Sequence, residues 1–487
     1  MLPIARRALF EGWEWGNVIW AFGKKRTQPN ILEGSMVKNI LVFIFPLIVT
    51  NLLQTCYHAA DMAIVGRSGV EGAVGAIGIT ASVINVVLNF FIGISVGATV
   101  LVARSIGAGD EETIRKTVHT ALCSSILLGL VAAGVGLFSS RPILMLMGTE
   151  GAVLDMATSY SRMYFAGAPF MALSNFAISV FRAKGDTQTP MMVLVLSGLS
   201  NVLMNLFFVL VCGMNVEGVA LATILSQVLS SALLLWLLSR DPGSCRFRPR
   251  ELKIQKKVLT EILRVGLPAG VQNSLFSISN MLLQSSVISI NNAMYPGGSV
   301  VLDGNAVGHS LDGFVNQAQA AVHQASVTFT SQHVGAKKIR RIRKVAGCCY
   351  LITFLLSVAI SGVILLLQRP IVSFYVGSYE NVAEVAKIVY LRNSYMLTTY
   401  FLLSVMDVGA GVLRGMGKSM TSTVISLLGS CAFRICWILL VLPHFNTLEC
   451  LYTAYPLSWF LTAVVNFGAS VIVWKKLLKQ EDPGSPA

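Results

Sequence analysis

A carboxylate aligned with uncharged polar side chains is the feature of this chain best suited to chemistry. Asn51, Gln54, His58 and Asp61 recur at intervals of three, four and three residues, which places them on one face of a helix. They lie in an otherwise apolar stretch running from Val37 past Pro46 to Val65. An acid at bilayer depth is costly, and where one occurs it usually faces a bundle interior or a water-filled cavity. There it could hold a cation or carry a proton. The other reading is a helix-end group reaching headgroup water, since Gly66-Arg67 follows closely.

The elements that must position this face follow from composition. The chain has 487 residues, of which 54% are hydrophobic and only 12% charged, with a mean hydropathy of +0.69. Soluble domains carry about a quarter charged residues, so that class is excluded. Apolar runs of bilayer length recur throughout, and twelve spans are expected: 37–65, 75–106, 116–138, 160–181, 190–212, 217–239, 258–290, 303–334, 345–367, 388–413, 420–441 and 450–474. The fold class is an all-α polytopic membrane protein.

The net charge of +14 belongs to topology rather than to nucleic-acid binding. Of the 37 Lys and Arg residues, 30 fall at the N-terminus, the C-terminus and the loops on the same side, 6 on the opposite side, and Arg434 inside a span. This bias places both termini in the cytoplasm, with anionic membrane lipid as a partner of the basic loops. The nine cysteines form no Cys-x-x-Cys and the six histidines no His-Glu-x-x-His, so neither a disulfide framework nor a metal centre is indicated. The first 30 residues, with Arg6-Arg7, Trp13, Trp15 and Lys24-Lys25-Arg26, lack the apolar run of a signal peptide. An interfacial segment and a misassigned start are both open.

The chain repeats itself. Phe45-Pro46-Leu47 with Asn51 recurs as Leu267-Pro268-Ala269 with Asn273, and Tyr160-x-Arg162 as Tyr390-x-Arg392. Ile106-Gly-Ala-Gly109 recurs as Val334-Gly-Ala-Lys337, and Phe181-Arg-Ala-Lys-Gly185 as Leu413-Arg-Gly-Met-Gly417. Each half has six spans, so the two six-helix bundles are related by a pseudo-twofold axis along the membrane normal. The expected organisation is an N-terminal cytoplasmic extension (1–35), an N-terminal lobe (36–240), a basic cytoplasmic linker (241–257), a C-terminal lobe (258–476) and a cytoplasmic tail (477–487). Two lobes on one mobile linker suit alternating access by rocking.

From Gly34 to Trp474 these landmarks resemble the multidrug and toxic compound extrusion (MATE) family, and within it the DNA-damage-inducible F-like (DinF-like) branch. The resemblance is carried by the order of Phe45-Pro46, Asp61-x-x-x-Val65-Gly66, Ser95-Val-Gly-Ala98, Phe181-Arg-Ala-Lys-Gly-Asp186-x-x-x-Pro190 and Val216-Glu-Gly-Val-Ala-x-Ala-Thr223. It implies a two-lobed antiporter of the bacterial inner membrane that exchanges protons or sodium for amphiphilic organic cations. It further implies a first-helix aspartate, matched by Asp61, working with an asparagine and an aspartate four residues apart on the fifth helix. This chain has Asn201 and Asn205 there, so the second carboxylate is missing. Where the resemblance implies acids in a C-terminal-lobe sodium site, the chain has Phe276 and Leu403, with Asp407 one turn beyond the latter. Sodium near Asp61, Asn201 and Asn205 stays open, because oxygen ligands suit hard cations.

An amphiphilic small-molecule substrate calls for an adaptable apolar cavity with few polar anchors. Met163, Tyr164, Asn175 and Met204 are the N-half candidates. In the C-half, Asn273, Asn280 and Gln284 share a face, as do Asn316, Gln319 and His323, while Tyr400 and Asp407 could attract a cation. Ordinary helix packing is the alternative for each. A flippase for lipid-linked saccharide or another lipid would need a basic cavity, for which only Arg434, Arg162 and Arg392 offer themselves. An enzyme would need a catalytic constellation, and none appears. The expectation is a cofactor-free monomeric transporter.

Overall fold

The computed structural model describes residues 30–66, 73–376 and 382–481; the expected interfacial segment up to residue 29, Arg67, and the end of the tail from 482 lie outside them. Twelve helical rods follow in order. They are α1 (Met36–Gly66), α2 (Ala73–Ala108), α3 (Glu111–Leu146), α4 (Gly151–Ala166 and Ala168–Ala183, bent by 48°), α5 (Gln188–Val211) and α6 (Val216–Ser239). The second six are α7 (Lys256–Met294), α8 (Val300–Gly335), α9 (Ile339–Leu366), α10 (Val382–Gly415), α11 (Ser419–Phe445) and α12 (Leu448–Glu481). A short helix, Gln368–Val376, follows α9. The rods alternate in direction, so the chain ends, the 241–257 linker and the α2–α3, α4–α5, α8–α9 and α10–α11 turns share one end of the molecule. Apolar side chains cover the outside, as a helix surrounded by hydrocarbon requires, with Phe138, Leu366 and Leu146 more than four-fifths exposed.

Nine described helices are long and apolar enough to cross a membrane by composition, or ten counting the bent α4 as one. The long helices α7 and α8 are not among them. These two carry Gln272, Asn273, Asn280 and Gln284, and Asn305, Asp312, Asn316 and His323, so they are polar where the others are greasy. The rods also outrun the apolar runs. Helix α3 begins at Glu111 rather than near Lys116, because Asp110 accepts a hydrogen bond from the Thr113 backbone N–H (3.0 Å) and Glu111 and Glu112 occupy the first turn. An acid at the N-cap and in the first turn complements the free N–H groups there, a signal that hydropathy does not register.

Backbone geometry reproduces the repeat. Gly185 and Gly417 end α4 and α10 at φ of 90° and 79°, and Gly109 ends α2 at 69°. The position equivalent to Gly109 after α8 is Lys337, which takes φ of 53° despite the cost to a residue with a Cβ. The fifth rod of each half also loosens: α5 ends in a wide π-turn segment, Phe207–Val211, and α11 contains two, Leu427–Ala432 and Trp437–Val441. Such segments interrupt regular helix mostly where side chains must be re-aimed.

The halves meet along a seam of glycines between α2 and α7–α8. A Cβ on Gly93 would stand 2.3 Å from the Cα of Gly270, and one on Gly97 would stand 2.2 Å from the Ile262 carbonyl oxygen. One on Gly107 would lie 2.0 Å from the Gln332 carbonyl oxygen, and one on Gly335 at 1.9 Å from that of Arg104. The backbones therefore touch directly, as small residues permit in membrane helix packing. Across the same end, Gln332 donates to the Ala183 carbonyl (2.7 Å). The seam lies in the half of the bundle that holds the chain ends. Gly97→Ala should therefore lower the unfolding free energy by about 1–3 kcal/mol, as overpacking a close contact does. Gly134→Ala, where a Cβ meets nothing within 4 Å, should not, and equal thermal midpoints in detergent would contradict the seam.

Candidate functional site

Beyond the seam, two contiguous cavities open between the lobes. One, of about 520 Å³, is lined from the N-terminal half by Asn51, Gln54, Asp61, Tyr164, Asn175 and Asn201, among others. The second, of about 530 Å³, is lined from the C-terminal half by Asn273, Asn280, Gln284, His323, Tyr400 and Asp407, among others. Asn89, Ile92, Asn316, Ala320 and Gln324 border both. Cross-lobe hydrogen bonds floor this space, from Asn89 Nδ2 to Ser277 Oγ (3.0 Å), from Ser274 Oγ to the Val86 carbonyl (3.1 Å) and from Asn51 Nδ2 to the Gln317 carbonyl (3.1 Å).

Asp61 lines the first cavity. Asn205 Nδ2 donates to its Oδ1 at 2.5 Å and also to Asn201 Oδ1 at 3.3 Å. Asn201 Nδ2 in turn reaches Thr223 Oγ1 on α6 at 3.5 Å. The four-residue spacing on α5 stacks the two amides, and α1 delivers the acid to them. Asn205 is fully buried, and its Oδ1 has no hydrogen-bond partner. A buried acceptor left unpaired costs free energy. Arg182, from the repeat motif at the end of α4, also lines this cavity.

Two of the N-half candidates do not line it. Met163 packs against the cluster containing Ile64, Tyr160 and Tyr164, and Met204 is half-buried outside the lining. Each precedes by one position the residue that does face inward or toward Asp61, namely Tyr164 and Asn205, and one residue is about 100° of helix. The His58 side chain lies outside what is described.

The C-terminal cavity is more highly charged. Arg392 Nη2 pairs with Asp312 Oδ2 at 2.8 Å, both side chains being at least nine-tenths buried. Arg392 Nε donates to Asn305 Oδ1 (3.1 Å), whose amide donates to Gln284 Oε1 (3.1 Å). His323 Nδ1 lies 2.8 Å from the Asp407 carbonyl, and Arg414 Nη1 donates to His323 Nε2 at 3.1 Å; these contacts require the tautomer protonated at Nδ1. Arg414 Nη2 donates to Gln272 Oε1 at 3.0 Å. Gln319 is buried outside the lining, bonded to Ser357 Oγ at 2.9 Å. Phe276 and Leu403 line this cavity, so its wall is apolar where the resemblance implied acids.

The expected supply of positive charge needs correcting. Arg162 is exposed and donates to the Leu137 carbonyl, away from the cavities. Arg392 and Arg434 line the C-terminal cavity as expected, joined there by Arg414, and Arg182 lines the first. Asp312 went unnoticed in the sequence, yet Asn305, Asp312, Asn316 and His323 step by seven, four and seven along α8, and extending that face backwards would have found it. Arg182 and Arg414 were visible as repeat landmarks, without a sign that each would face its lobe's cavity.

Comparison with known proteins agrees with this architecture. The MatE family model matches residues 46–207 and 268–438, one block in each half. The probable multidrug resistance protein YoeA of Bacillus subtilis is 27% identical over 465 residues, covering 93% of this chain and 96% of YoeA. The probable multidrug resistance protein NorM of Thermotoga maritima is 23% identical, covering 80% of this chain and 82% of NorM. A crystal structure of MATE in complex with MaL6 superposes with a TM-score of 0.85 at 21% identity, over 93% of this chain and all of that one.

The Asp312–Arg392 pair makes a stability prediction. Asp312→Asn leaves a buried guanidinium uncompensated and should cost about 3–5 kcal/mol. Adding Arg392→Met should recover part of that loss, since removing both charges is far less costly than removing one. Thermal unfolding of the two variants checks this; a double variant no more stable than Asp312→Asn would contradict it.

Proposed function

This chain belongs to the MatE family, and we propose from that premise that it is a secondary active antiporter. It exports amphiphilic organic compounds, cations foremost, in exchange for protons or sodium, as a monomer without a cofactor. The names of its relatives YoeA and NorM, both probable multidrug resistance proteins, support the export of drugs or toxic compounds. The 30-to-6 distribution of basic residues supports cytoplasmic termini in a bacterial inner membrane. On that orientation the glycine seam closes the cytoplasmic end and the cavities face outward. Asp61 and Asn201 match the DinF-like branch, from which Asn205, standing in place of an aspartate, departs.

The observation that carries the coupling role is the contact between Asp61 and Asn205. An ionised carboxylate only accepts hydrogen bonds, whereas a protonated one also donates. With Asp61 ionised, Asn205 offers its amide N–H. A proton placed on Asp61 Oδ1 would oppose that N–H unless the amide turned its unpartnered Oδ1 toward the new O–H. Uptake of a proton would thus remove the charge that holds a cation and re-set the α1–α5 contact in one step. Sodium, bound by Asp61 and the two amide oxygens, would act on the same contact. Either way, loading from outside would expel the cargo, and rocking of the lobes would carry the ion to the cytoplasm.

The test is transport in inverted vesicles, with a pH gradient and then a sodium gradient imposed, and a fluorescent organic cation as cargo. The driving ion should be revealed by the gradient that moves the dye, and Asp61→Asn should reduce gradient-driven transport to background with normal membrane expression. Dye export by Asp61→Asn that retains its normal gradient response would refute the role of Asp61. Movement of the dye under neither gradient in wild-type vesicles would refute the antiport.

A further inference from the structure

The charges of the C-terminal cavity do not balance. Asp312 is paired with Arg392. Asp407 and Arg414 act on each other as opposite charges. That leaves Arg434, which is 5% exposed and has no carboxylate within ion-pair range among the described residues. Its Nε donates to Ser458 Oγ at 2.9 Å, while among the described residues no partner engages its two Nη groups. Its Cζ lies 4.4 Å from the centre of the Tyr455 ring and 5.8 Å from that of Trp459. Aromatic faces and one hydroxyl hold a guanidinium in place, but they do not neutralise it.

The position is built rather than incidental. Arg434 lies on the short α-helical stretch Phe433–Cys436, flanked by the two π-segments of α11, about halfway along that rod. It lines the cavity together with Tyr400, Met406, Tyr455 and Trp459, and the Tyr400 and Trp459 rings are 5.4 Å apart. A cation buried at bilayer depth without a counter-charge is costly and is found where function requires it. The fork of a guanidinium matches a carboxylate, sulfonate or phosphoryl group, and the adjoining rings suit an aromatic or apolar body.

We propose that Arg434 is the receptor for an anionic group on the cargo, so that the transporter takes amphiphiles bearing a carboxylate, sulfonate or phosphoryl group, zwitterions included, and not organic cations alone. This rests on the export reading and extends its substrate class to anionic groups. The group could belong to a soluble compound or to a lipid headgroup, which present the same chemistry to Arg434.

Binding to the purified full chain in detergent tests this without any gradient. The probes share one fluorophore: dansylglycine (an anion), its methyl ester (neutral) and dansyl-ethylenediamine (a cation). The wild type should bind the acid roughly 10- to 100-fold more tightly than the ester, as a hydrogen-bonded charge contact provides. Arg434→Gln should abolish that preference and strengthen binding of the cation; Arg434→Lys should keep part of the preference. A damaged fold would weaken all three probes, and the acid–ester comparison on the wild type needs no variant. In proteoliposomes, Arg434-dependent translocation of NBD-labelled phosphatidylglycerol would assign the anion to a lipid headgroup, and Arg434-dependent dansylglycine binding to a soluble cargo. Dependence of neither on Arg434 would overturn the site. An intact acid preference in a protein that answers to no ion gradient would count against antiport and leave the anion site standing.

Discussion

The direct backbone contact of α2 with α7 and α8 is the constraint on which the rest of the arrangement hangs. Lipid offers helices little hydrophobic reason to associate, so close approach and interhelical hydrogen bonds must hold them together. Gly93, Gly97, Gly266 and Gly270 let the two lobes touch without intervening side chains. Alongside this contact, the polar faces of α1, α7 and α8 border the space between the lobes.

Inside that space the charges are arranged unequally. The N-terminal lobe presents one acid, Asp61, held by a fully buried asparagine, with Arg182 also in the lining. The C-terminal lobe presents Asp312, Asp407, Arg392, Arg414 and Arg434. The duplication therefore kept the scaffold, including an arginine from the same motif, half-buried at the end of α4 and buried at the end of α10, while the polar contents diverged. Low dielectric makes each of these choices consequential, because an uncompensated charge cannot be screened by water. The Asp312–Arg392 pair is locked into a network through Asn305 and Gln284, whereas Asp61 keeps a simpler environment, bonded to Asn205.

Much of the fold could be read along the chain. The apolar runs, the basic loops and the four recurring motifs disclosed a membrane protein of two six-helix halves. The α7 and α8 rods were also found, although their polar faces make them poor hydropathy candidates; their place in the repeat compensated. Rod ends were read less well, since helices extend into water on caps such as Asp110 rather than on apolar content. For the site, the facing positions Asn273, Asn280 and Gln284, and Asn316 with His323, line the cavity as their spacing implied. Met163 and Met204 were chosen for adaptability rather than for helical phase, and each sits one position off the functional face.

What the sequence by itself determined is what depends on one helix at a time: length and apolarity, the side a loop occupies, the face on which Asp61 lies, the periodicity that repeats after some 220–230 residues. Only the tertiary structure decided which charges meet. Asp312 and Arg392 stand 80 positions apart, and Asp61 and Asn205 stand 144. Whether such groups pair, or whether Arg434 is left without a counter-charge, depends on the rotation and depth of one rod against another. That placement comes from packing between helices, and no spacing within a single helix encodes it.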